Sequence, residues 1–234
     1  MVRLQGAVIT EKKANNGPEK ETIINPFYLA AYPVTQKQYQ EVTGQNISYF
    51  KGDNLPVESI KWSEAVEFCN RLSLRDGLTP AYKIDGENIK WNRKANGYRL
   101  PTEIEWEYAC RAGSTTPFNT GSTITTNQAN YDGRYPYNSN VRGEYRAKTT
   151  PVGSFAANAW GLYDMHGNVW EWCWDDPKRA QDDDMAVLSI TTIRIIRGGG
   201  WSSSGISLFS NYRTAFQPFW SNNYIGFRLA RNAE

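Results

Sequence analysis

Histidine is almost missing from this chain of 234 residues, which carries His166 and no other. A lone imidazole cannot supply a multi-histidine metal centre, and it leaves no Ser–His–Asp or Cys–His arrangement to propose beyond that one ring. Cysteine is scarce too: Cys69, Cys110 and Cys173 stand at long, unrelated spacings. An odd number so spaced makes no zinc or redox motif, and disulfides are not expected to hold the fold. Cys69 and Cys110 lie among apolar helical neighbours and read as small buried hydrophobes. Net charge is close to nil, at +2 with basic and acidic residues intermixed, so nothing favours nucleic acid, which would require clustered cations. No apolar run approaches the ~18 residues of a membrane span. The opening residues show no basic stretch leading into an apolar one, so no signal peptide is expected there.

What the chain does have is aromatic residues: nine Trp, fourteen Tyr and nine Phe. Such side chains suit both the cores of irregular loops and binding surfaces. The length allows a sizeable core, and one domain over residues 1–234 is expected. Residues 1–24 read as a strand, a polar stretch and a second short strand, with weak alternation over residues 28–32. Thr35 is placed to cap a helix over residues 36–43. Ser63 opens another, with Ala65, Val66, Phe68, Cys69 and Leu72 at helical spacing. Thr102 and Glu105 form a capping box ahead of Trp106, Tyr108 and Ala109. Residues 113–160 show no sustained period and are rich in Gly, Asn, Thr and Pro; a loop that long is usually functional. Residues 168–174 and 193–196 read as strands, and residues 224–229 as a terminal one. Asp182, Asp183 and Asp184 read as a solvated loop, with calcium binding the alternative. The predicted class is a mixed α+β domain rich in irregular structure.

Six segments then line up. They are Asn25-Pro26-Phe27-Tyr28 with Pro33-Val34-Thr35; Pro56-Val57-Glu58 with Trp62; the stretch from Tyr98-Arg99-Leu100-Pro101-Thr102 to Trp106-Glu107-Tyr108-Ala109; that from Gly161-Leu162-Tyr163-Asp164 to Trp170-Glu171-Trp172; Arg197-Gly198-Gly199-Gly200-Trp201; and Ile225-Gly226-Phe227-Arg228. In this order they resemble the formylglycine-generating-enzyme (sulfatase-modifying factor) family, from about residue 22 to the end. The resemblance implies a C-type-lectin-like fold. Family enzymes hold copper through two cysteines, and the matching positions here are Ser203 and Leu208. Neither a hydroxyl nor an isobutyl group replaces a thiolate on copper(I), so no catalytic residue is expected. The iron-dependent sulfoxide synthases of the same family use three histidines, which one His166 does not match; it is expected to be a hydrogen-bonded loop residue. Glu103 and Glu107 read as helix capping and surface solvation rather than acid–base chemistry. Asp164, Gly167, Val169 and Glu171 match positions that bind a structural calcium in family enzymes. The alternative is that the two carboxylates hydrogen-bond backbone amides in an irregular turn.

The region over residues 197–230 is expected to carry the function. Between its two motifs, residues 202–224 mix large aromatics with Ser, Asn and Gly, the composition of a paratope. This resembles the variable proteins of diversity-generating retroelements, which use the same fold and vary its C-terminal end. The resemblance implies variable, ligand-binding positions at Ser203, Gly205, Ile206, Leu208, Phe209, Tyr212, Phe216, Phe219 and Tyr224, with Trp201, Arg213, Gln217, Pro218 and Trp220 as scaffold. Of the aromatics, Phe209, Tyr212, Phe216, Phe219 and Tyr224 are expected at the surface, and Trp201, Trp220 and Phe227 inside. The expected function is a non-enzymatic, monomeric receptor for a macromolecule, namely a protein and not nucleic acid. Its expected place is the bacterial cell surface or the extracellular space, with the cytoplasm as alternative. A divergent oxidase acting on or binding thiol peptides is the alternative function.

Overall fold

The computed structural model of the chain describes residues 1–11, 20–139, 141–177 and 187–233. The acidic triplet at 182–184 lies outside the described residues. Strands β1 (Val2–Leu4), β2 (Ala7–Glu11), β3 (Lys20–Ile24) and β4 (Phe27–Leu29) open the chain. Helices α1 (Gln36–Thr43) and α2 (Trp62–Arg75) follow. Next come β5 (Tyr82–Asp85), β6 (Asn88–Trp91), β7 (Tyr98–Arg99) and α3 (Glu103–Arg111). Among the described residues five short strands come next: β8 (Trp170–Trp172), β9 (Val187–Ser189), β10 (Arg194–Arg197), β11 (Arg213–Phe216) and β12 (Ile225–Gly226). They are followed by β13 (Ala230–Asn232).

The helices start where side chains can replace missing backbone partners. Thr35 Oγ1 accepts from the Gln38 amide while Gln38 Oε1 accepts from the Thr35 amide, and Thr102 and Glu105 repeat the exchange at α3. Helix α1 stops at Gly44, with φ 79°, a left-handed conformation that glycine adopts without strain. Helix α2 begins at Trp62, one residue before the expected Ser63, and buries Ala65, Val66, Phe68, Cys69 and Leu72 along one face. At its start Glu64 Oε2 accepts from the Lys61 amide at 2.8 Å, while the Trp62 indole donates into the core to the Cys173 carbonyl at 3.0 Å and that of Trp172 to the Ile60 carbonyl at 2.8 Å.

The chain ends meet in one sheet, ordered β1-β4-β13-β7. A second sheet, β11-β10-β8-β12, gathers the motifs of the second half. The expected terminal strand over residues 224–229 is a correction: only Ile225 and Gly226 pair with β8, and β13 ends the chain. The break has a cause. Arg228 turns inward to an ion pair, and the Phe227 and Leu229 carbonyls accept instead from the Val34 and Ala30 amides. Residues 113–160 contain no helix or strand among the described residues, and part of this stretch packs along the C-terminal segment.

Candidate binding surface

The C-terminal segment is clamped at both ends by positions that leave little choice of residue. Gly198 and Gly199 hold φ values of 94° and 78°, and a Cβ on Gly199 would lie 2.8 Å from Leu208 Cδ1. At the other end, a Cβ on Gly226 would lie 2.3 Å from the Val57 carbonyl oxygen. Behind the clamps is a fully buried pair. Arg228 Nε and Nη2 donate to Glu171 Oε2 and Oε1 at 2.6 and 2.7 Å, and Trp106 Nε1 donates to the same Oε2 at 2.6 Å. Arg197 donates to Glu107 at 2.7 Å, and Arg213 to Glu103 at 2.6 Å. Two of the three glutamates of α3, Glu103 and Glu107, are therefore ion-pair partners, and Glu103 is buried rather than solvated at the surface as expected.

Between the clamps, the framework grips the segment by its main chain. His166 reaches the Leu208 carbonyl through Nδ1 at 2.7 Å, and Arg197 Nη1 donates to the Ser210 and Tyr212 carbonyls. The amides of Asp132, Trp62 and Ser59 donate to the carbonyls of Ser203, Pro218 and Asn222. Trp201 Nε1 closes the loop on the Asn223 carbonyl at 2.9 Å. Side-chain identity at those positions is not what makes these bonds.

Where the side chains go departs from expectation at several positions. Ile206, Tyr212 and Phe219 are exposed, Phe219 at 57%. Ser203, Phe209, Phe216 and Tyr224 are half-buried. Phe209 stands edge-on to Phe118 and Tyr137, while Phe216 leans on Trp220. Leu208 and Gly205 are corrections. Leu208 is fully buried with Phe118, Ile124, Ala129 and Tyr131, and Gly205 is pressed against the Tyr137 amide, so neither side faces a ligand. Both belong to the short 3-10 helix Gly205–Leu208, whose turn carries Ile206 outward while Leu208 goes in. Of the three aromatics expected inside, Phe227 is buried and Trp201 half-buried, but Trp220 is 50% exposed. It lies on the turn after Pro218, whose carbonyl is tied to α2, and this holds the indole off the core.

The copper-ligand positions lack the chemistry for that metal. Ser203 Oγ accepts from the Gly200 amide at 3.0 Å, and Leu208 is core. The fold does bring Cys110 and His166 together, with Sγ 3.8 Å from Nε2, a neighbour relation invisible in the sequence. Burial pushes the thiol up to about 12 and the imidazole down to about 4, so neither group carries charge at neutral pH. Nε2 accepts from the Asn119 amide, and His166 is the hydrogen-bonded structural residue expected of it.

The calcium implied by Asp164, Gly167, Val169 and Glu171 does not fit these residues. Glu171 is already neutralised by Arg228, so a divalent ion there would face a guanidinium. Asp164 Oδ2 accepts from the Gly153 amide at 2.7 Å, and only its Oδ1 is left without a partner. Burial raises that carboxyl to about 6. Calcium takes about 6–8 oxygens and favours ionised carboxylates. The alternative of bonds to backbone amides holds for Asp164 Oδ2 alone, because both Glu171 oxygens are taken by the side chains of Arg228 and Trp106.

Taken together, the fold is of the C-type-lectin-like kind, carrying a framework-held C-terminal segment where catalytic thiols would otherwise be. The chain belongs to the sulfatase-modifying factor enzyme 1-like domain family, whose model matches residues 1–233. It is 38% identical to the chaperone protein LppX of Paenibacillus barcinonensis, over 99% of this chain and 89% of that protein. It is 25% identical to the inactive C-alpha-formylglycine-generating enzyme 2 of Mus musculus, over 98% of this chain and 83% of that one. Among solved structures, Treponema denticola variable protein 1 superposes with a TM-score of 0.84 at 25% identity, covering 100% of this chain and 95% of that one. These likenesses are consistent with a non-catalytic domain of the family.

Proposed function

We propose that this chain is a binding protein and not an enzyme, and that residues 202–224 present its variable contact surface to a protein partner. One observation carries the reading. The framework holds this segment through its carbonyls, so Ile206, Tyr212, Phe219 and their neighbours are free to change without loss of the anchors. Exposed aromatics among serines and asparagines give contact area at small entropic cost. A chaperone among the relatives agrees with a polypeptide as partner. The test is to sequence the coding segment for residues 197–230 across many cells of the source population. Substitutions concentrated at Ser203, Ile206, Phe209, Tyr212, Phe216, Phe219 and Tyr224, against constant Trp201 and Trp220, are expected. Uniform sequence throughout the segment sinks the proposal.

The alternative, an oxidase on thiol peptides, has behind it the formylglycine-generating enzyme of Streptomyces coelicolor, 32% identical over 63% of this chain. The serine and buried leucine at its metal positions oppose it. Turnover of a cysteine peptide by the copper-loaded protein would restore it.

A further inference from the structure

The aromatic surface does not end with the C-terminal segment. Trp201 stacks on Tyr145, with centroids 6.0 Å apart and planes 28° apart, and meets the edge of Phe50 at 5.7 Å. Phe50 in turn meets Tyr49 at 5.0 Å. On the other side, the Arg134 guanidinium lies 4.1 Å from the Tyr145 ring and 5.9 Å from that of Tyr135. Six side chains from three separate stretches of sequence thus form one continuous ridge. Tyr49 and Tyr135, toward its two ends, are 69% and 61% exposed. Trp, Tyr and Arg are the residues enriched where protein interfaces hold most of their binding energy.

The ridge is rigidly joined to the segment beside it. The Asp132 amide donates to the Ser203 carbonyl, and the Gly205 amide to the Tyr135 carbonyl. Its charge points to one kind of partner. Residues 130–148 hold four cations (Arg134, Arg142, Arg146 and Lys148) against two acids, Asp132 and Glu144, a surplus of two. Both acids are paired with arginines of the same loop. Residues 202–224 hold no acid, and their one cation, Arg213, is already paired with Glu103. Arg134 binds Asp132 through Nε and Nη2 and makes no hydrogen bond through Nη1 among the described residues. Flanking rings hold a guanidinium in place for a carboxylate, and exposed ring faces accept proline and aliphatic groups.

We propose that this ridge is a second, constant contact site that takes an extended acidic segment of a partner polypeptide, alongside the variable segment. The inference rests on the reading above that this face of the domain meets a protein. Only Trp201 of the ridge belongs to the C-terminal region, and it is a scaffold position. The ridge would therefore recognise a feature shared by many partners, while residues 202–224 distinguish among them.

The probe is a fluorescein-labelled peptide rich in glutamate and proline, compared with its lysine-for-glutamate counterpart by fluorescence anisotropy. The acidic peptide is expected to bind, more weakly as salt rises, and the basic one not to bind. Tyr49→Ser with Tyr135→Ser, and separately Arg134→Gln, should each weaken the acidic peptide by about tenfold or more. Melting curves check that both variants are folded. Leu74→Ser, at an exposed position of α2 that belongs to neither surface, should leave the affinity unchanged, and an invariant C-terminal segment would defeat the proposed function without touching this result. Equal binding of the two peptides, no binding of the acidic one, or undiminished binding by the ridge variants overturns the inference. So does dimerisation in sedimentation experiments that Tyr49→Ser and Tyr135→Ser abolish, which would assign the ridge to a second copy of this chain.

Discussion

Two stretches of this chain are similarly rich in aromatic residues and are built on opposite terms. In residues 161–174, side chains make the structure: Glu171 is gripped by Arg228 and Trp106, His166 by Leu208 and Asn119, and Asn168 by Thr150. In residues 202–224 the main chain does most of that work, with Leu208 and Arg213 the main side-chain anchors, and the framework reaches in to its carbonyls. The difference decides what each can tolerate. A buried carboxylate cannot lose its partner without leaving an uncompensated charge, whereas an exposed Phe219 leaves nothing behind but water. A surface meant to change must be anchored by atoms that do not change with the side chain.

The comparison breaks first at Arg228. Arg228→Leu strands Glu171 in a site with no exposure, and urea unfolding should show a loss of about 3–5 kcal/mol or no folded protein at all. A loss under about 1 kcal/mol would mean that the network is not holding the clamp.

Leu208 tests the contrast from within the segment. Leu208→Ala should cost about 2–5 kcal/mol in chemical denaturation, because the side chain is sealed among Phe118, Ile124 and Tyr131. A neutral outcome would place Leu208 back on the surface as a contact residue.

A third effect is set by pH. Burial, and then the charge of Glu103, raises the Asp175 carboxyl to about 7. The folded protein therefore binds more protons than the unfolded chain between the ordinary carboxylate value of about 3.9 and this one, so stability falls as pH rises through that window. Asp164, raised to about 6, acts in the same sense lower down. His166, depressed to about 4, acts in the opposite sense and costs stability as pH falls below about 6.5. Above that point Asp175 acts without its opposition. The thermal midpoint should climb from about pH 8 to about pH 6.5, and Asp175→Asn should flatten the climb. A midpoint that falls over this range contradicts the assignment.

The smallest effect is the most telling. Ile206→Ser, Tyr212→Ser and Phe219→Ser should each shift stability by less than about 0.5 kcal/mol in the same denaturation assay. Phe209 and Phe216 sit between the extremes, since each still leans on a neighbouring ring. If the exposed three prove as costly as Leu208, the two regions are built alike and the display reading loses its basis.

Local order was legible in the sequence wherever the cause is local. Thr35 with Gln38, and Thr102 with Glu105, announce helix starts because a capping box lies within one turn of chain. The helical spacing from Ala65 to Leu72 predicts a buried face for the same reason. The absence of thiols at positions 203 and 208 is likewise a matter of identity alone, and no packing can restore the chemistry. Tertiary structure decided what depends on residues far apart. It turned Arg228 inward and so ended a strand; it buried Leu208 while its neighbour Ile206 stayed out, and held Trp220 off the core. It also set Tyr49, Arg134 and Trp201 in one row from three distant stretches. Burial and charge pairing are sums over neighbours supplied by the whole fold, and a linear pattern of residue types does not contain those sums.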